Sequence, residues 1–284
     1  MHGSTFEFCA SRVHVCFNSK TNGMGQDDED PTDIFDTSFS SLFSIAPIAF
    51  STASPDAYHT YHPPHGPAIE LKLPHPPPNL YTKLQANNLW LAAVYLSDTI
   101  SKDDIDLGNR VCELGAGAGL PGIVAGGKGC EVVSTDWGAE EILEVIRHNF
   151  DRAKVTNYKV IGHEWGTDTT PLKQALTRSE EGEGDGRFDS LILADTLWVT
   201  EAHSVLLDSV FALLKPKGVA HVAAGIHTGR GPLERFVSAA EGRGAVVEKV
   251  REVRWNQGVW EKYQAPEQAG DERGVVVYYT CTIP

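Results

Sequence analysis

The chain has 284 residues, 41% hydrophobic and 22% charged, with 24 Lys and Arg against 38 Asp and Glu for a formal net charge of −14. That apolar fraction supports a core and excludes a wholly disordered chain, and the length allows one large domain with an appendage. The acidic balance argues against nucleic acid as the main partner, because counterion release from phosphates requires a basic face.

No stretch approaches the ~18 consecutive apolar residues of a membrane span, so no membrane partner is expected. The N-terminus lacks the apolar run behind basic residues that directs secretion. Five cysteines, Cys9, Cys16, Cys112, Cys130 and Cys281, form neither a Cys-x-x-Cys pair nor a dense framework, which suits free thiols in a reducing compartment. The expectation is a monomer in the cytoplasm with access to the nucleus.

Ten of the sixteen prolines lie at or before Pro78, and the first 66 residues carry only Arg12 and Lys20 against eight acidic residues, four of them in the cluster 27–30. Such a composition buries too little apolar surface to offset the entropy of ordering. Residues 1–65 are therefore expected to be an acidic, Pro-rich, mostly extended segment, and residues 66–284 the folded domain. The apolar island 42–45 (LFSI) is the part of the segment suited to docking. His59, His62 and His65 invite a metal reading, but Pro63 and Pro64 prevent helical alignment and a loop offers no preformed geometry, so no metal site is expected.

Residues 69–73 (IELKL) alternate like a half-buried strand that the prolines of 74–78 stop. From Asn79 the composition changes, and Leu84, Asn88, Leu91, Ala92 and Tyr95 recur at helical spacing, predicting a helix that also carries Trp90. Residues 110–115 (RVCELG) read as a strand entering a Gly-rich turn. Strands at 131–135, 159–162, 188–195 and 219–226 then alternate with helices at 140–149, 202–214 and 232–242. Two more strands, 245–255 and 275–283, follow without a long helix between them, so the last should run antiparallel. Residues 180–186 (EEGEGDG) and 264–273 are loops by composition. The alternation predicts an α/β fold: a doubly wound, mostly parallel, seven-stranded sheet with helices on both faces and an antiparallel last strand.

In such a sheet a ligand sits at the carboxyl ends of the strands, where the strand order reverses. That points to the turn 113–122 (ELGAGAGLPG), whose glycines let the backbone turn sharply and a ligand approach closely. Residues 117–122 satisfy the dinucleotide pattern GxGxxG, which alone is weak evidence. Three features favour S-adenosyl-L-methionine, a cationic sulfonium without phosphate. Glu113 at the strand end suits a cation better than a pyrophosphate. Registering the pattern on Gly115 and Gly117 puts Leu120 where the third glycine belongs, while registering it on Gly117 moves it off the strand end. The chain also lacks an obvious Tyr-x-x-x-Lys pair of dehydrogenase type. Asp136 ends the next strand about 20 residues after Gly117, where a carboxylate accepts ribose hydroxyls in either cofactor class.

Five stretches in one order, 111–130 (VCELGAGAGLPGIVAGGKGC), 133–137 (VSTDW), 164–166 (EWG), 193–198 (LADTLW) and 225–230 (GIHTGR), together resemble methyltransferase family 16. These are seven-β-strand S-adenosylmethionine enzymes that include protein-lysine methyltransferases and a nicotinamide N-methyltransferase-like branch. The resemblance covers residues 80–284 and implies a Rossmann-like class I methyltransferase fold. It implies N-methylation of a protein lysine, with a small amine or pyridine such as nicotinamide as the alternative. An inactive cofactor-binding module is the remaining class, against which Asp136 and Asp195 together argue.

The resemblance also implies that Trp90, Gly115, Ala116, Gly117, Asp136, Trp137, Trp165 and Ala194 line the cofactor, with Glu113 at the strand end. Asp136 would hold the ribose, Trp165 would flank the adenine, and Ala194 would lie beside the methionine moiety. The family's Asp-x-x-aromatic motif stands here as Asp195 and Trp198, the expected catalytic pair. Asp195 would orient the acceptor amine and Trp198 would wall its pocket. In the lysine methyltransferases that aromatic is usually Tyr or Phe, so Trp198 is a departure. His227 with Arg230 is a weaker substrate-site candidate.

Overall fold

A computed structural model describes residues 48–76, 84–175, 186–265 and 271–284. The acidic cluster 27–30, the island 42–45 and most of the loop 180–186 lie outside the described residues.

Four short strands come first: β1 (Ala49–Phe50), β2 (His59–Tyr61), β3 (Ile69–Leu71) and β4 (Leu89–Trp90). β2 and β3 form an antiparallel hairpin, and β1 pairs antiparallel with β4. The hairpin straddles residue 65, where the folded domain was expected to begin. Its apolar side chains have a core to enter, since Tyr61, Leu71 and Leu73 are buried in the same cluster as the helices that follow. Polar groups secure it: Tyr61 Oη donates to Asp98 at 2.5 Å, and Asn149 Nδ2 donates to the carbonyls of Lys72 at 2.8 Å and Ala118 at 2.9 Å. His59 stacks on Phe50, and no group of three His, Cys, Asp or Glu that could hold a metal occurs among the described residues.

Helix α1 (Leu91–Ser101) starts one residue after Trp90. Trp90 is thus not inside the leading helix, as its spacing predicts, but at the N-cap with φ −83° and ψ 149°. Pairing with β1 holds Leu89 and Trp90 extended, which overrides the helical periodicity.

The remaining elements are β5 (Arg110–Leu114), α2 (Leu120–Gly127), β6 (Glu131–Asp136), α3 (Glu140–Arg152), β7 (Tyr158–Gly162), α4 (Thr170–Gln174) and β8 (Phe188–Ala194). They continue with α5 (His203–Leu213), β9 (Leu214–Gly225), α6 (Gly231–Gly242), β10 (Val246–Asn256), β11 (Val259–Lys262) and β12 (Val275–Thr282). The main sheet has the order β11-β10-β12-β9-β8-β5-β6-β7. β7, β6, β5, β8 and β9 are parallel, and β12 lies between β9 and β10, antiparallel to both. The fold is therefore the expected Rossmann-like α/β arrangement.

The sheet has eight strands rather than the expected seven. The extra edge strand β11 pairs with β10 across Gln257 and Gly258, whose φ values of 44° and 92° are both positive, as a type I′ hairpin turn requires. Residues 256–258 (NQG) carry that turn signal in the sequence.

Burial patterns explain the layers. On α3, Ile142, Leu143, Ile146 and Phe150 form one buried stripe, with Glu140 and Glu141 in the first turn and Arg152 in the last, matching the helix dipole. α1, α2 and α3 cover one face of the sheet, while Leu206, Leu207 and Val210 of α5 and Phe236 of α6 cover the other. No helix among the described residues is long and apolar enough to cross a membrane. The strand order reverses at β5, between β6 and β8, which places a crevice at their carboxyl ends.

Candidate active site

The turn from β5 to α2 is built on left-handed backbone, with φ of 72° at Gly115, 55° at Gly117 and 78° at Gly119. A Cβ on Gly115 would lie 2.9 Å from Thr196 Cγ2 and 3.2 Å from Trp165 Cζ2, so that glycine permits a close approach of neighbouring side chains. A Cβ on Gly117 would meet nothing within 4 Å. The space above Gly117 is the floor of a cavity of about 520 Å³ at the carboxyl ends of β5, β6 and β8, a size that suits a small-molecule ligand.

Asp136 ends β6 in the wall of this cavity. Its Oδ2 accepts the Gly117 N–H at 2.7 Å and its Oδ1 the Trp137 N–H at 2.7 Å. Burial pushes its carboxyl pKa upward, opposed by these two backbone donors. Trp90, Trp137 and Trp165 line the same cavity, with Ala116 beside the glycines and Ala194 at the end of β8. Asp195 and Trp198 line the same cavity.

Glu113 is the exception among the expected site residues. It lies beneath the turn, 1% exposed, and does not line the cavity. Its Oε1 accepts the Gly122 N–H at 3.2 Å and its Oε2 the Ser134 hydroxyl at 2.8 Å. Burial pushes its pKa up to about 7 against the pull of Ser134 and Gly122. Successive residues of a strand point to opposite faces, and Glu113 faces into the protein under α2, opposite to Leu114, so the carboxylate braces the turn from below. A Cβ at Gly122 would come within 2.5 Å of Glu113 Oε2.

Asp195 follows β8 with φ 59°, a left-handed conformation uncommon for non-glycine residues but one that Asp tolerates. Its N–H donates to the Ala223 carbonyl at 2.8 Å, and its Oδ1 accepts the Gly225 N–H at 3.1 Å.

Two histidines complete the site. His163 lines the cavity, and its Nε2 lies 2.9 Å from Ser209 Oγ, which also accepts the Gly166 N–H at 2.9 Å. This fixes the turn that carries Trp165. Burial lowers the His163 pKa. The sequence holds no local sign of the contact, because Ser209 is 43 residues beyond Gly166. His227 binds Asp195 through Nε2, 3.1 Å from Oδ1 and 3.2 Å from Oδ2, and stacks on Trp90. Arg230, expected as its companion, turns away to Glu252 and Glu272, which raise its pKa. The pair suggested by residues 225–230 is therefore split.

The described lining residues include the acids Asp136, Glu164 and Asp195 and no Lys or Arg. An acidic, tryptophan-rich wall attracts a sulfonium cation and offers a pyrophosphate no countercharge. The open floor above Gly117 and the carboxylate at the end of β6 thus fit S-adenosylmethionine and its ribose.

Comparisons with known proteins identify the family. A family model described as lysine methyltransferase matches residues 82–241. The protein N-terminal and lysine N-methyltransferase efm7 of Neurospora crassa is 31% identical over 241 residues, 80% of this chain and 83% of that protein. Its namesake from Emericella nidulans is 34% identical over 205 residues, 67% of this chain and 76% of that one. Among solved structures, a Streptococcus mutans protein assigned to the sam-dependent methyltransferases has a TM-score of 0.52 at 10% identity. That alignment covers 82% of this chain and 57% of the other, a likeness of fold.

Proposed function

Because the chain belongs to the lysine methyltransferase family and is an S-adenosylmethionine-dependent methyltransferase, we propose that its methyl acceptors are amines of a protein. The amines are the lysine side chain and, following the names of its relatives, the N-terminal α-amine. The observation that carries this reading is Asp195, a carboxylate 8% exposed in the cavity wall at the end of β8, with Trp198 in the same wall.

Bound S-adenosylmethionine supplies an electrophilic methyl group on a sulfonium. The chain supplies position, since the attacking amine must be neutral and in line. Desolvation in a half-closed cavity disfavours the ammonium form. Asp195 accepts a hydrogen bond from the amine and turns its lone pair toward the methyl group. The faces of Trp90 and Trp198 favour the methylated cation that forms. Asp136 holds the ribose, and Trp165, fixed through the Gly166 and Ser209 contact, flanks the adenine.

A net charge of −14 suits a basic protein partner through electrostatic complementarity. We place the enzyme in the cytoplasm with access to the nucleus, acting as a monomer without nucleic-acid or membrane partners. The test incubates the protein with tritiated S-adenosylmethionine and a cell extract split into protein and small-molecule fractions. Label is expected in protein and, after acid hydrolysis, in methyl-lysine or a methylated N-terminal residue. Label confined to small amines or to nicotinamide would overturn the reading.

A further inference from the structure

Trp90 and Asp195 line the large cavity and also a second one of about 20 Å³ behind it. They form the partition between the two. His227 lines only the smaller cavity, so it stands behind the wall that faces the reactants. It is 7% exposed and touches both members of the partition. Its Nε2 lies 3.1 Å and 3.2 Å from the two Asp195 oxygens, and its ring stacks on Trp90 with centroids 5.0 Å apart and an interplanar angle of 30°. An ionised carboxylate only accepts, so Nε2 carries the hydrogen and donates.

We propose that His227 is a positioning residue for the methyl acceptor, holding the Asp195 carboxylate and the Trp90 ring from behind the cavity wall. The inference rests on the reading of Asp195 as the residue that orients the amine.

Gly225 N–H engages only Oδ1 of Asp195, which leaves the carboxylate plane free to turn about that bond. A donor that reaches both oxygens fixes the plane. Oδ1 then has two donors and Oδ2 one, so Oδ2 keeps the greater acceptor capacity for the amine. The stack on Trp90 fixes the same ring from behind that faces the cavity in front, so the two wall members move together. The back cavity is closed by Ile48 of the N-terminal segment and by Gly274, whose Cβ position lies 3.0 Å from Ile48 Cδ1. Glu272 also lines it and accepts from Arg230 Nη2 at 2.7 Å, so its charge is already balanced.

Two variants separate the donor from the stack. His227→Phe keeps a ring against Trp90 and removes the donor, whereas His227→Gln keeps a donor and removes the ring. Each is assayed for S-adenosylhomocysteine affinity by isothermal titration and for kcat and KM with the acceptor that the unaltered protein methylates. His227→Phe should lower kcat at least about tenfold while cofactor affinity stays within about twofold, and His227→Gln should recover most of the loss. Unchanged kcat in His227→Phe, or parallel loss of cofactor affinity and kcat in that variant, would each overturn the proposal.

A second readout needs no acceptor. In the nitrogen-15 spectrum of labelled histidine, a protected Nε2–H resonance of His227 is expected, and it should be lost in Asp195→Ala. Its absence from the unaltered protein, or its survival in Asp195→Ala, would overturn the pairing. Transfer of label to no amine at all would refute the functional reading, while this spectrum still decides the contact.

Discussion

Gly117 and Asp136 meet through one hydrogen bond, from the backbone N–H of the glycine to Oδ2 of the aspartate at 2.7 Å. The carboxylate that faces the ligand cavity therefore also shapes the glycine turn beside it. Asp136→Ala removes the proposed ribose acceptor and releases the turn. At about 1.5–3 kcal/mol for a hydrogen bond to a charged group, S-adenosylhomocysteine affinity should fall roughly 10- to 100-fold. Isothermal titration measures this, and an unchanged dissociation constant would refute the ribose assignment.

Asp195→Asn keeps the shape of the side chain and replaces the anionic acceptor with an amide. Turnover should fall about 100-fold or more, with cofactor affinity nearly unaltered, because the residues proposed for ribose and adenine are Asp136 and Trp165. Steady-state kinetics beside a cofactor titration separates the two effects. Equal loss of both would move Asp195 from the acceptor to the cofactor side.

The glycines of the turn should differ in their response to alanine. At Gly117 the φ of 55° is strained for alanine, but the methyl group meets no protein atom within 4 Å and points into the cavity. Gly117→Ala should cost about 1 kcal/mol of stability and still obstruct the cofactor. At Gly115 the added Cβ lies 2.9 Å from Thr196 Cγ2, so Gly115→Ala should lower the melting temperature further as Thr196 and Trp165 are displaced. Melting curves with and without S-adenosylhomocysteine distinguish these outcomes, and identical behaviour of the two variants would contradict the geometry.

Burial holds the Glu113 carboxyl at about 7, against 4.5 for an unburied glutamate. The folded chain binds this proton more tightly than the unfolded chain, so its stabilising contribution is full below 4.5 and is lost as pH rises through about 7. The loss is at most about 3 kcal/mol. Glu113→Gln is neutral at every pH, with an acceptor for the Gly122 N–H and a polar partner for Ser134. Compared by thermal unfolding from about pH 5 to about pH 8, its stability relative to the unaltered protein should rise with pH. Parallel curves would show that Glu113 does not titrate in this range.

Much of the fold is legible in the sequence because strands and helices announce themselves over a few neighbouring residues. The strand at Arg110–Leu114, the glycine turn and the acid ending Glu131–Asp136 are contiguous patterns, and the structure places Gly117 and Asp136 together. Errors fall where a distant partner overrides the local pattern. Trp90 follows a helical period but pairs with Ala49, 41 positions away in a segment whose prolines and charge suggest an extended tail. Glu113 sits beside the glycines in sequence, yet the pleat turns its side chain under them to Ser134.

By itself the sequence determined the alternation of strands and helices, the turn that needs glycine and the acids that end the strands, all consequences of local backbone preference and periodicity. Only the tertiary structure decided that β12 inserts between β9 and β10, that Arg230 turns to Glu252 and Glu272, and that His227 stands behind Asp195. The first depends on backbone pairing between strands distant in sequence, and the other two on side chains 22 to 42 residues apart converging where polar groups must find partners. No local pattern carries that information, because the partner is chosen by packing.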